Sequence, residues 1–488
     1  MKNKKNLTLP VLATVLMLAG GCQDFLKKEP LDRLGLDTYY TKESDAINAI
    51  NAVYSPFAGG DDFWGKALWM IGDGASDNSM PGGTDPDFIP IDNFTVDADN
   101  PRLADTWRGH YNVISRANVV LAKVPGIPMN DVLKNRILGE ASFLRALAYF
   151  NMVRIFGDVP LLTDVTTSVA QLDVARTPAT AIYRLIKEDL TFAGEHLPVN
   201  YDKTADVGRA TKGAAKALLA KVHLTLREFP EAAARAAEVM AMPYDLVKDY
   251  GSLFTVAGEN SVESVFEIQH LTCNLGMGGR AQAFFAPFGS GLTGTWDGWG
   301  TNIPTVDFVN AYETGDLRKK VTIFLPDSVY SYPALRGGVY KHDASRSVNG
   351  YNIRKYVIGP GTDVCAMDSP MNDYVIRFAD VLLMFAEASN ETGNTPAAEA
   401  ALNRVRTRAG LAAKTGLSQA EFRDVVLHER RMELGMESER WFDLVRTGRA
   451  IPVMTAQGKT LTEQHLIFPI PRSEIDLNPR LKQNPGYN

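Results

Sequence analysis

Residues 139–162 read GEASFLRALAYFNMVRIFGDVPLL, and the fold follows from how that stretch must pack. From Asp131 to Phe156 nothing interrupts a helix except Gly139, so the spacing predicts one helix of roughly 39 Å at about 1.5 Å per residue. Gly157 is a residue free to take the left-handed cap, and Pro160 prevents a restart. At about 100° per residue, Glu140, Asn151 and Arg154 fall on one narrow stripe, and Ser142 and Arg145 on the opposite one. Phe143, Leu144, Leu147, Tyr149, Phe150, Met152, Val153 and Phe156 fill the arcs between. A helix of this kind needs apolar neighbours on two sides, which a stack of helices provides.

Working outward, the chain has 488 residues, 45% hydrophobic and 22% charged, which is ordinary globular material. The net charge is −6 and no basic run follows the first residues, so no nucleic-acid partner is expected. Those first residues read as an export signal. Lys2, Lys4 and Lys5 precede an apolar run over 7–18 that is too short to span a bilayer comfortably, and Ala19-Gly20-Gly21 then leads into Cys22. The pattern is that of a lipoprotein signal over 1–21 with Cys22 as the lipid-attachment residue; an ordinary secretory peptide cleaved nearby is the alternative. Cleavage removes three lysines and takes the net charge from −6 to −9. Cys273 and Cys365 stand in no Cys/His cluster, so neither a metal site nor a cofactor is expected, and the spacing does not settle whether they pair.

The predicted elements divide the mature chain into three regions. Residues 22–243 form a helical repeat region, with helices over 44–57, 100–124, 131–156, 178–197 and a two-helix unit over 211–242. Small residues and a Pro230 start give that unit the rhythm of a tetratricopeptide repeat. An early insertion, 58–96, is rich in Gly, Pro and Asp and reads as loop. Residues 244–372 change character: 251–268 and 351–358 look extended, and 273–302 carry eight glycines and five aromatics in thirty residues. Such a segment among helices is where binding chemistry is expected. Residues 373–488 return to helix over 373–391, 396–409, 418–435 and 438–447 and complete the same fold. The expected fold class is mainly α: a tetratricopeptide-like helical repeat scaffold with a loop-rich, partly extended insertion.

Several of these stretches together resemble the SusD/RagB family of outer-membrane nutrient-binding lipoproteins. They are residues 139–162, RFADVLLMFAEASNETGN with ALNRVRTRAGL, HERRMELGMESERWFDLVRTG, and IPRSEIDLNPRLKQNPGY near the end. CQDFL, followed by a helix ending Ala52-Val53-Tyr54, matches the family's N-terminal pattern. The resemblance implies a helical repeat scaffold on the outer face of the outer membrane. It also implies pairing with a SusC-like TonB-dependent transporter, for which the lipoprotein is a lid, and capture of oligosaccharides or, in some members, peptides.

Two constellations suggest chemistry and do not carry it. Glu433 and Glu437 would lie one turn apart on a continuous helix, near a glycosidase spacing. Arg430, Arg431, Arg440 and Arg446 would keep both ionised, whereas a general acid needs a raised pKa. Asp97-Ala98-Asp99-Asn100 begins like a calcium loop, but Pro101 and Arg102 occupy positions that need an oxygen ligand and a glycine, so a helix cap is expected. No enzyme is expected.

The aromatics point to binding. Trp296 and Trp299 stand in the glycine-rich segment below Phe284, Phe285 and Phe288, and Trp64 stands in the early insertion beside Asp61 and Asp62. Flat apolar rings suit the C–H face of a sugar while carboxylates take its hydroxyls; alternatively, the rings anchor their own loops. Trp64, Phe285, Trp296 and Trp299 are the expected ligand-binding residues, with Trp64 over the same face as the other two tryptophans. Trp69, Trp107 and Trp441 read as core. The function expected is capture of glycans for a transporter. Oligopeptide cargo is the alternative, followed by a surface hydrolase or a helical adaptor.

Overall fold

The computed structural model describes residues 39–59, 63–271, 276–294, 298–335, 337–360 and 368–487. The signal segment 1–21, Cys22, Asp61, Asp62, Cys273, Trp296 and Cys365 lie outside the described residues. Among those described, the long helices are α1 (Glu43–Ala58), α2 (Pro101–Lys123), α3 (Asp131–Phe156), α4 (Ala179–His196), α5 (Lys212–Thr225), α6 (Phe229–Met240), α7 (Phe378–Glu391), α8 (Thr395–Arg408) and α9 (Gln419–Glu433). Four of these starts carry a side-chain cap. Asn100 accepts from the Arg102 N–H ahead of Pro101, Asn130 from Val132 and Leu133, and Thr211 from Ala214; Ser418 and Glu421 form a capping box. The Asp97–Asn100 run is therefore the helix cap expected of it.

α2 packs on α3, α3 on α4, α4 on α5, α5 on α6, and α6 on α7. The helix that opened the sequence reading has its two apolar neighbours, and its polar stripes join them. On one side Arg145 forks onto Asp189 of α4, with both bonds at 2.8 Å, and reaches Asn118 of α2 at 2.8 Å. On the other, Asn151 meets His110 of α2 at 3.2 Å and accepts from Arg154 at 2.6 Å. Gly157 ends the helix at φ 71°, a conformation that only a residue without Cβ takes cheaply.

The chain leaves the stack after α6 and rejoins it at α7. Between and before them run short strands: β1 (Ser79–Pro81), β2 (Ser264–Ile268), β3 (Asn302–Pro304), β4 (Ile323–Phe324), β5 (Val329–Ser331), β6 (Val339–Lys341), β7 (Asn352–Ile353) and β8 (Asp373–Arg377). They form four antiparallel ribbons, β1 with β3, β2 with β8, β4 with β7 and β5 with β6.

Three readings are corrected here. The helix expected from 373 starts only at Phe378, because Tyr374, Val375 and Ile376 are β-formers that pair with β2. The early insertion is not open loop: Phe63–Leu68 and Met70–Gly74 are wide π-helical turns and Phe88–Asp92 a short helix, most of them buried. α9 stops at Glu433, since Met436 and Ser438 both take φ 65°, so Glu433 and Glu437 do not share a helix. No helix of the described residues is long and apolar enough to cross a membrane.

Candidate ligand platform

The early segment and the insertion meet through β1 and β3, in the register Ser79↔Pro304, Met80↔Ile303 and Pro81↔Asn302. From that junction a chain of rings runs outward. Trp69 lies edge-on to Phe88 at 5.2 Å and to Phe285 at 5.5 Å, and meets Phe284 at 5.7 Å. Phe284 is capped edge-on by Trp299 at 4.9 Å, with the Lys66 ammonium 5.3 Å from its ring. The backbone under Trp299 is zipped onto the preceding segment. Trp299 and Gly300 donate N–H bonds to Ala283 and Ala286 at 2.8 and 2.9 Å, and Gly298 bridges Phe288. Trp299 is 42% exposed and Phe288 65%. Beside them Arg346 donates to the Phe288 carbonyl at 2.9 Å.

The expected site residues therefore separate. Trp299 faces solvent. Trp64 is only 8% exposed, edge-on to Phe57 at 5.2 Å, and Phe285 is 2% exposed. The expectation that Trp64 shares an open face with Trp299 is corrected: the wide helical turn at Phe63–Leu68 turns Trp64 inward, onto α1. Trp64 and Phe285 do come together, as buried rings in the wall of a pocket that they line with Trp69, Tyr356, Arg154, Lys221 and Glu439. Both rings are part of its wall, whereas Trp299 and Phe288 are the rings exposed to solvent. Phe288, the most exposed ring here, was named in the sequence only as a neighbour. The β5–β6 hairpin has a sequence signal of its own, Gly337-Gly338 between two valine–tyrosine pairs.

Behind the platform lies a buried ionic core. Glu433 accepts from Arg408 at 2.6 Å, Arg377 at 2.8 Å and Arg318 at 3.1 Å. Glu437 accepts from Arg377 at 2.6 and 2.8 Å and from Lys355 at 2.9 Å. Burial alone would push both carboxyls up, but Arg408, Arg377 and Arg318 hold Glu433 well below its ordinary range, and Arg377 and Lys355 lower Glu437. Both are locked as charged partners. Asp73 is the contrast. Burial pushes its carboxyl up to about 7, against the opposing Ser438 N–H at 2.8 Å and Lys355.

Comparison with known proteins places this architecture. The SusD family profile matches residues 262–487, and one described as "Starch-binding associating with outer membrane" matches 61–224. A SusD-like protein of Bacteroides ovatus is 30% identical over 475 residues, which cover 91% of this chain and 83% of the relative. The chain belongs to the SusD family. Among solved structures, a laminarin-binding SusD-like protein superposes with a TM-score of 0.79 at 30% identity, over 92% of this chain and all of the other. A structure determined with xylogluco-oligosaccharide superposes at 0.77 and 26% identity, over 88% of this chain and 97% of that one. The SusD scaffold is thus the helical stack described above, and the platform is the part of this SusD-family chain built from its loops.

Proposed function

We propose that this protein is a non-catalytic, lipid-anchored surface receptor that captures oligosaccharides on the Trp299–Phe288 platform. It passes them to a SusC-like TonB-dependent transporter in the outer membrane. The observation that carries this reading is the exposed Trp299 ring, held edge-on by Phe284 and seated beside Phe288, Arg346 and Lys66: a flat apolar face with polar groups at its margin. Relatives named for laminarin binding and solved with xylogluco-oligosaccharide support a glucan as cargo. The absence of turnover rests on Glu433 and Glu437: Glu433 is fully buried, and the arginines and Lys355 around the pair keep both ionised, so neither has a proton to give. Trp296 is proposed as a neighbouring contact, and Cys22 as the lipid-bearing residue.

Calorimetric titration against laminarin, xyloglucan oligosaccharides, starch and a peptide mixture tests the reading. Glucan binding that Trp299→Ala abolishes while the melting temperature holds is the expected result. Binding confined to peptides would transfer the platform to the oligopeptide reading, and sugar release from a bound polymer would overturn the receptor role.

A further inference from the structure

β1, β3 and β7 meet at the root of the segment that carries Trp299. β1 pairs with β3, and β3 lies beside β7, whose Asn352 pairs with Phe324 of β4. With a period of two along each strand, Ser79 and Pro81 share one face of their ribbon with Pro304 and Asn302. The contact is close: a Cβ on Gly82 would stand 1.8 Å from the Gly300 carbonyl oxygen, and one on Gly300 would stand 3.4 Å from the Asn352 amide nitrogen. Gly300 follows Trp299 directly and precedes Asn302 by two residues.

Asn302 and Asn352 are 0% exposed and Ser79 is 1%. Among the described residues, nothing hydrogen-bonds the oxygen or the nitrogen of either carboxamide, or the Ser79 hydroxyl. Native interiors satisfy nearly all such groups, because a dry amide forfeits its bonds to water and gains none in return. What satisfies this cluster must both donate and accept. The amide N–H groups repel a cation and the amide oxygens repel an anion, whereas a water molecule answers to both and binds at about three polar partners. The full burial of the two carboxamides keeps a sugar's own hydroxyls from reaching them.

We propose that Asn302 and Asn352, with Ser79, hold ordered water at the β1–β3–β7 junction. The two asparagines are then positioning residues that set the height and tilt of Trp299 through Gly300. The junction ties the early segment to the ring platform, so hydration there governs the ring's placement rather than the stability of the helical stack.

Two measurements test this. A high-resolution crystal structure of the full chain should show water within hydrogen-bond distance of both carboxamides. A direct Asn302–Asn352 amide pair, or a dry site, overturns the proposal. In a Trp296→Phe background, Trp299 is the most exposed of the described tryptophans, and acrylamide quenching of fluorescence reports its placement. Asn352→Leu, similar in volume but unable to hold water, should raise the quenching constant. Asn352→Ser, which puts a hydroxyl in place of the carboxamide and leaves room for another water, should restore it toward the parent value. An unchanged constant in the leucine variant overturns the positioning role, as does an equal rise in both, which would report lost volume and not lost hydration. If Asn352→Leu does not fold, the same comparison at Asn302 decides. The effect on cargo rests on the receptor reading, and laminari-oligosaccharide affinity should follow the quenching order. A parent protein that fails to bind that probe would count against the receptor reading alone, while the water and quenching measurements still judge the junction.

Discussion

Trp299 and Trp64 should answer truncation in opposite ways. Trp299 has one packed edge and an open face, so Trp299→Ala should weaken glucan binding with the melting temperature almost unchanged. Trp64 is buried against Phe57 and Phe63, so Trp64→Ala should cost about 3–5 kcal/mol of stability. Early melting of the Trp299 variant would place that ring in the core instead. Asp73 supplies a pH signature. It binds its proton more tightly folded, with a pKa of about 7, than at the ordinary value of 3.8. Its contribution to stability is complete below 3.8, declines as pH rises toward about 7, and is lost above that. Asn at this position keeps an acceptor for the Ser438 N–H without the charge. Asp73→Asn should therefore gain stability relative to the parent between about pH 5 and about pH 8, as read by chemical denaturation. A pH-independent difference would show that Asp73 is not the group titrating. Glu433 and Glu437 work in the other direction, contributing stability that persists above their unfolded pKa and disappears only as acid protonates them.

At the level of elements, α3 and the end of α9 are the two fixed points. Leu147 and Phe150 are fully enclosed on α3, and truncating either to alanine should cost about 2–5 kcal/mol; unchanged unfolding midpoints for both would make the helix peripheral. Glu433→Gln leaves Arg318, Arg377 and Arg408 facing one another around a neutral amide, and should cost about 3–5 kcal/mol. Normal stability in that variant would mean the arginines find other partners. α3 was legible because its signals are local: Asn130 before it, Gly157 and Pro160 after it, and an unbroken apolar run between. β8 was not. Tyr374-Val375-Ile376 runs straight into the periodic FADVLLMFAEASNE, and only β2, more than a hundred residues earlier, draws it into a strand. The break after Glu433 is similarly non-local, set by a Gly435 backbone so close to Phe308 that a Cβ there would lie 2.4 Å from the ring.

At the scale of the molecule, Cys22→Ala should leave the protein in the soluble fraction of an outer-membrane preparation, and the parent should copurify with its transporter. Retention of the variant on membranes would overturn the lipoprotein reading. The helical stack could be read from sequence because its helices carry local signals, such as the side-chain caps at Asn100, Asn130, Thr211 and Ser418 and the periodic apolar runs behind them. Which rings face solvent could not, since Trp64 and Trp299 stand in equally glycine- and aspartate-rich surroundings. Their fates are set by whether α1 or open solvent lies opposite. Because α6 packs directly on α7, the solenoid is closed behind the excursion that bears the platform. Lengthening a closed loop costs only about 0.6 kcal/mol per doubling. The segment that bears Trp299 can thus be lengthened or exchanged at little cost to the stack, and under the receptor reading proposed above a new cargo would not require a new fold.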